Sequence, residues 1–447
     1  MSHQKYNSIK PRLNRDAISA QGGFTLIELL VAAAGGLILM GFMAVVFGFY
    51  GRTVRENQAI IRMNDALRSA SYKLRQDLQG VTCDMTPWQK PEADAGYFEL
   101  IEGPLTDADA ADGNTNLVAD IDDVLLFTTR GNGAGFIGKM DTSTIEADAA
   151  EVAWFCVQQP GPQVDGMNLY SLHRRQLLVV GYVGTSDFRH DLDNGDGTNS
   201  YWMPADPQTK PDVFQSYDIS LRYEGGSGGR LRGNGLSDLT KRENRFLHRF
   251  NNAVTNGQPY HVSPSVSLFP YVLDPVRLTG DPNTGAASDA ILSDGRKGED
   301  VVIRNVLAFD VRVFDPKQAA NGYIDLGDGS SSTLGAVPVG PKNGGSYTWD
   351  AHAVTGNPYY PNKVYSTWSY HYEFNGLDED QSLSGWRVGV DQGTNLVDDD
   401  GNGAVDDSLE LETMPPYNVP LRGIEIRLRC YEPQGKQIRQ VTVRHAF

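Results

Sequence analysis

The sequence predicts an α+β protein: a long N-terminal helix, transmembrane in its first half and amphipathic in its second, packed on an antiparallel β-sheet domain with long loop insertions. Three observations predict it. Residues 29–51 are a run of 23 residues without a charge, long enough to cross a bilayer as a helix. Beyond the run, Ile60, Met63, Leu67, Leu74 and Leu78 recur at helical spacing and make one apolar stripe. Further on, seven segments of strand composition alternate with tracts rich in Gly, Asn and Asp.

The helix comes first. It is expected to run from Phe24 to Gln79, about 80 Å at 1.5 Å per residue, with 24–51 in the membrane and 52–80 as the amphipathic part. Arg62, Asp65, Arg68 and Asp77 are expected to face away from the stripe, and Gly80 is a natural stop. No proline interrupts the helix, so Gly35, Gly36 and Gly41 are the candidate weak points.

The strands come next, within 81–447. They are 122–130 (DDVLLFTTR), 151–158 (EVAWFCVQ), 168–183 (NLYSLHRRQLLVVGYV), 217–224 (YDISLRYE), 301–316 (VVIRNVLAFDVRVFDP), 423–433 (GIEIRLRCYEP) and 436–447 (KQIRQVTVRHAF). The last two should form a hairpin around Pro433, Gln434 and Gly435. The polar tracts at about 185–300 and 317–420 read as insertions on a β core, and no internal repeat is evident.

Charge narrows the partners. The chain of 447 residues carries −17. Without the first 23 residues, which hold four basic residues and one acidic one, 35 basic stand against 55 acidic residues, a net −20. Such a body repels nucleic acid and anionic lipid, and it can attract divalent cations. Cys83, Cys156 and Cys430 show no metal-ligand spacing. Cys156 shares a face with Val152 and Trp154, and Cys430 ends the alternation Ile424, Ile426, Leu428. Both read as buried thiols, with a disulfide as the alternative.

The apolar run also carries a puzzle. Glu28 sits at its start, five residues after the Gly22–Gly23 pair, and a carboxylate in a bilayer costs roughly 2.5–3.5 kcal/mol. A cleaved secretory signal fits poorly, because the hydrophobic stretch before the small-residue site at 31–35 is short and contains Glu28. A plain signal anchor leaves the glycines and Glu28 unexplained. Basic residues number four on each side of the run, so charge bias gives no orientation.

Residues 22–32, GGFTLIELLVA, resemble the prepilin leader motif of the type IV pilin and type II secretion pseudopilin family. The resemblance implies that residues 1–23 are a leader, that a prepilin peptidase cuts between Gly23 and Phe24, and that Phe24 becomes N-methylated. It also gives Glu28 a role in assembly: the new ammonium at Phe24 would be buried among apolar helices in a filament, and Glu28 of a neighbouring subunit can pair with it. The alternative is a carboxylate that snorkels to the interface. Within the family, 122–129, 152–177 and 419–447 resemble the J-type minor pseudopilin and the W-type minor pilin, although the long insertions depart from their compact pattern.

The same resemblance implies a minor pseudopilin or minor pilin, single-pass in a bacterial inner membrane with its bulk in the periplasm. Its partners would be other pilin-like subunits, the prepilin peptidase and an inner-membrane assembly platform. It would sit at the filament tip. A head of 367 residues has a radius of gyration of roughly 21 Å, too large to repeat on shaft helices about 8–10 Å apart. A filament-borne adhesin with calcium-stabilised loops is the alternative.

Two tracts raise metal chemistry. In 395–410, Asp398, Asp400 and Asn402 alternate, Gly403 permits a sharp turn and Asp406 lies further along, an oxygen set suited to calcium. Leu409 stands where an EF-hand has its glutamate. Asp191, Asp193 and Asp196 form a weaker version, broken at Gly195. No HExxH or P-loop occurs, so no enzyme and no other cofactor are expected.

Overall fold

The computed structural model describes residues 24–86, 89, 91–103, 120–161, 163–183, 216–224, 230–240, 244–246, 292, 296–318, 322–327, 333–334, 364–367, 403, 417 and 419–447. The leader, the 190–200 tract, all of the 395–410 tract but Gly403, and most of the two insertions lie outside these residues. A continuous helix, α1 (Leu26–Gln79), passes through Gly35, Gly36 and Gly41 without interruption. The chain divides into two compact units at Gln58/Ala59.

In the first unit, α1 exposes its apolar surface. Its large hydrophobic side chains from Leu26 to Tyr50, Val46 excepted, are 44–78% exposed. This is one helix long and apolar enough to cross a membrane, by length and composition.

The second unit is built on an antiparallel sheet. Its strands in chain order are β1 (Phe98–Ile101), β2 (Val124–Arg130), β3 (Phe136–Met140), β4 (Ser143–Ala147), β5 (Ala149–Gln158), β6 (Tyr170–Leu178), β7 (Leu221–Glu224), β8 (Arg230–Gly233), β9 (Val301–Phe314), β10 (Tyr323–Ile324), β11 (Val364–Ser366), β12 (Gly423–Glu432) and β13 (Gln437–Ala446). The main sheet runs β11-β1-β2-β5-β6-β9-β12-β13, with β10 also paired to β9. The hairpins β3–β4 and β7–β8 stand apart from it. All seven expected segments contain a strand, although 217–224 supplies only the four residues of β7. β12 and β13 pair from Gly423↔Ala446 to Glu432↔Gln437, which is the expected terminal hairpin.

The middle of the sheet is covered on both faces, so β5 is buried along almost its whole length. Val152, Trp154 and Cys156 share one core with Met63, Leu67, Ala70, Leu74 and Leu78 of α1. Ala153, Phe155 and Val157 point the other way, into a second core with Leu178, Ile219, Leu221 and Leu239. The sequence pattern did not reveal β1, β3, β4, β8, β10 and β11, which are short and take their stability from neighbours rather than from alternation. β11 joins the sheet edge through Tyr365↔Leu100. Arg245 is fully buried against it, donating to Glu99 Oε2 at 2.7 Å and Ser366 Oγ at 2.8 Å.

Two helix expectations need correcting. Asp77 faces the core, not solvent, and is 3% exposed. Ile60 is only half-buried. Gly80 does end the helix, but through close approach rather than a left-handed turn. A Cβ there would lie 2.3 Å from the Arg130 carbonyl oxygen, because Arg130 N–H donates to the Gly80 carbonyl at 2.8 Å.

Candidate functional site

Of the residues that the sequence marks for processing and assembly, Phe24 and Glu28 are described, at the start of α1. Gly23 lies outside the described residues. Phe24 is 86% exposed and stands just before the helix. Thr25 and Glu28 bind each other reciprocally: the Thr25 backbone N–H donates to Glu28 Oε2 at 2.9 Å, the Thr25 hydroxyl to the same oxygen at 3.0 Å, and the Glu28 N–H to Thr25 Oγ1 at 3.3 Å. This is a capping box, which satisfies backbone donors that a helix start leaves open. Its sequence signal is Thr-x-x-Glu across Thr25–Glu28. Both contacts to the carboxylate fall on Oε2, leaving Oε1 for a second partner.

The other end of α1 is locked to the sheet. Arg174 of β6 donates from Nε to Asp77 Oδ2 at 2.6 Å and from Nη2 to Oδ1 at 2.8 Å. Trp154 Nε1 donates to Oδ2 at 3.0 Å, and the Thr129 hydroxyl to the Asp77 carbonyl at 2.7 Å. Strands β2, β5 and β6 therefore all hold this one residue. Burial, with Arg174 nearby, also lowers the Lys73 ammonium from its ordinary value.

Asp398, Asp400, Asn402 and Asp406 lie outside the described residues. Gly403 alone of that tract is described, with φ of 93°, a conformation glycine tolerates.

An acidic site that the sequence did not single out lies elsewhere. Glu102 follows β1, and Asp120, Asp122 and Asp123 precede β2. Ligand oxygens of Glu102, Asp120 and Asp123 lie within 4.8 Å of one another, all buried. This segment covers the part of β9 that β6 does not reach, since β6 pairs with β9 only as far as Val306. Phe309 N–H donates to the Asp120 carbonyl at 2.9 Å, and Val311 N–H to Asp123 Oδ2 at 2.6 Å. Gly103 N–H reaches Asp123 Oδ1 at 3.1 Å. Burial and neighbouring carboxylates push Asp120 and Asp123 well above the ordinary carboxylate range. The only hint in the sequence is the density of acids at 120–123, a weak signal in so acidic a chain.

Comparison with protein-family models, curated proteins and solved structures finds no match to this chain.

Proposed function

We propose that this chain is a minor subunit of a type II secretion pseudopilus or type IV pilus-like filament, anchored in the inner membrane by the first half of α1 until it assembles. The observation that carries this is register. The GGFTLIE motif ends its glycine pair at Gly23, and the helix begins at Leu26. Cleavage after Gly23 would leave Phe24 as a new amine within one turn of Glu28. The exposed apolar surface from Leu26 to Tyr50 suits first a bilayer and then packing among like helices. The antiparallel sheet packed on Met63, Leu67, Ala70, Leu74 and Leu78 of α1 suits the extracytoplasmic domain of such a subunit. Glu28 would pair through Oε1 with the Phe24 ammonium of a neighbouring subunit, while its cap holds the carboxylate in place.

The bulk of the chain would lie in the periplasm, with other pilin-like subunits, the prepilin peptidase and an assembly platform as partners, and with a place at the filament tip. Mass spectrometry of protein extracted from membranes tests the proposal. N-methylated Phe24 is expected as the first residue, and an intact Met1 start in cells with active prepilin peptidase overturns it. Sheared filaments should contain this chain far below the major subunit.

A further inference from the structure

Buried carboxylates need compensation, because taking an ionised acid out of water costs several kcal/mol unless charge or donors replace the solvent. At the junction of β1, β2 and β9 it differs from one acid to the next. Asp123 receives two backbone N–H groups. Asp120, 1% exposed, receives no N–H or hydroxyl donor at either carboxylate oxygen. Its side-chain hydrogen-bond partner is another acid, Asp122, so a proton or a cation has to stand between the two carboxyls. Asp310 is buried close by and adds to the negative charge around Asp123. Arg427 stands 3.4 Å from Asp310 Oδ2.

The spacing suits a hard cation. Calcium–oxygen distances of about 2.3–2.6 Å place opposed ligands about 4.6–5.2 Å apart, and oxygens of Glu102, Asp120 and Asp123 all lie within 4.8 Å of one another. Three carboxylates without nitrogen or sulfur ligands favour calcium over a transition metal. We propose that Glu102, Asp120 and Asp123 bind a divalent cation of the calcium class, with Asp120 as the ligand that no donor group neutralises. Because Glu102 and Asp120 flank the 104–119 connection and Asp123 is bonded to β9, the ion would tie both ends of that connection to the sheet. This site is separate from the 398–406 tract and does not depend on the filament proposal.

The test uses the full-length protein in detergent, stripped with chelator and then titrated with calcium chloride, with binding followed by calorimetry and stability by thermal unfolding. Calcium should bind and raise the melting temperature of the wild type, since a ligand held only by the folded state stabilises it. The Asp398→Ala, Asp400→Ala double variant should keep that response. Asp120→Asn should lose it while melting no lower than the wild type without metal, because the change preserves shape and takes one acid out of a cluster of carboxyls. Glu102→Gln is read in the same way should Asp120→Asn fail to fold. A wild type that neither binds calcium nor shifts at millimolar concentration overturns the site. So does a response lost in the double variant and retained in Asp120→Asn.

Discussion

Arg174 grips Asp77 with two parallel bonds, 2.6 Å and 2.8 Å long, and both side chains are under one-tenth exposed. The fork joins the last turn of α1 to a central strand, and Trp154 adds a third donor. Removing one member of such a pair leaves a buried charge without its partner, which costs about 3–5 kcal/mol. Asp77→Ala should therefore destabilise the folded protein by about that much, measured by urea unfolding of the full-length protein in detergent. A change below about 1 kcal/mol, the range of an exposed pair, would mean that the fork does not hold the helix.

Glu28 has two candidate roles that one pair of variants separates. Glutamine can replace glutamate in a capping box, but it cannot pair with an ammonium. Glu28→Gln and Glu28→Ala should both impair copurification with partner subunits if the charge matters. Rescue by Glu28→Gln alone would reduce Glu28 to its helix cap. Cleavage after Gly23 should persist in both variants.

His173 is an acid-sensitive point in the fold. It is buried, stacked on Phe155 at 5.5 Å between ring centres, and its Nδ1 has no hydrogen bond. Burial, helped by Arg304, lowers its pKa from 6.5 to about 4. The unfolded chain therefore takes up this proton at higher pH than the folded one. The contribution is fully present above pH 6.5 and is lost as pH falls toward about 4. Between neutral pH and about pH 5 it removes on the order of 2 kcal/mol. The His173→Leu variant should show a correspondingly shallower loss of stability over that interval. Parallel curves for variant and wild type would refute the assignment.

The three cysteines are free and buried. Burial pushes the thiols of Cys83 and Cys430 up to about 12 and raises that of Cys156 as well, so few thiolates are present near neutral pH. Ellman's reagent should find no reactive thiol in the native protein and three after denaturation. Two missing thiols in the denatured, unreduced protein would reveal a disulfide.

Local patterns determined much of this protein. The uncharged run at 29–51 and the stripe through Met63, Leu67, Leu74 and Leu78 are written at the helical repeat, and the strands of 151–158 and 423–447 in their apolar content and alternation. Such periods are properties of neighbouring residues, so they survive without knowledge of the fold. The capping box at Thr25–Glu28 is equally local, and its four-residue spacing is legible in the chain. What only the tertiary structure decided is where the buried charges go. Asp77 looks like a solvent-facing acid until Arg174, 97 residues away, is set opposite it by the order β2-β5-β6. Glu102, Asp120 and Asp123 are three acids among 56 acidic residues until β1, β2 and β9 bring their oxygens together. Hydrophobic burial follows a short repeat along the chain, whereas the energy of a buried charge depends on which distant group strand pairing places within a few ångströms of it.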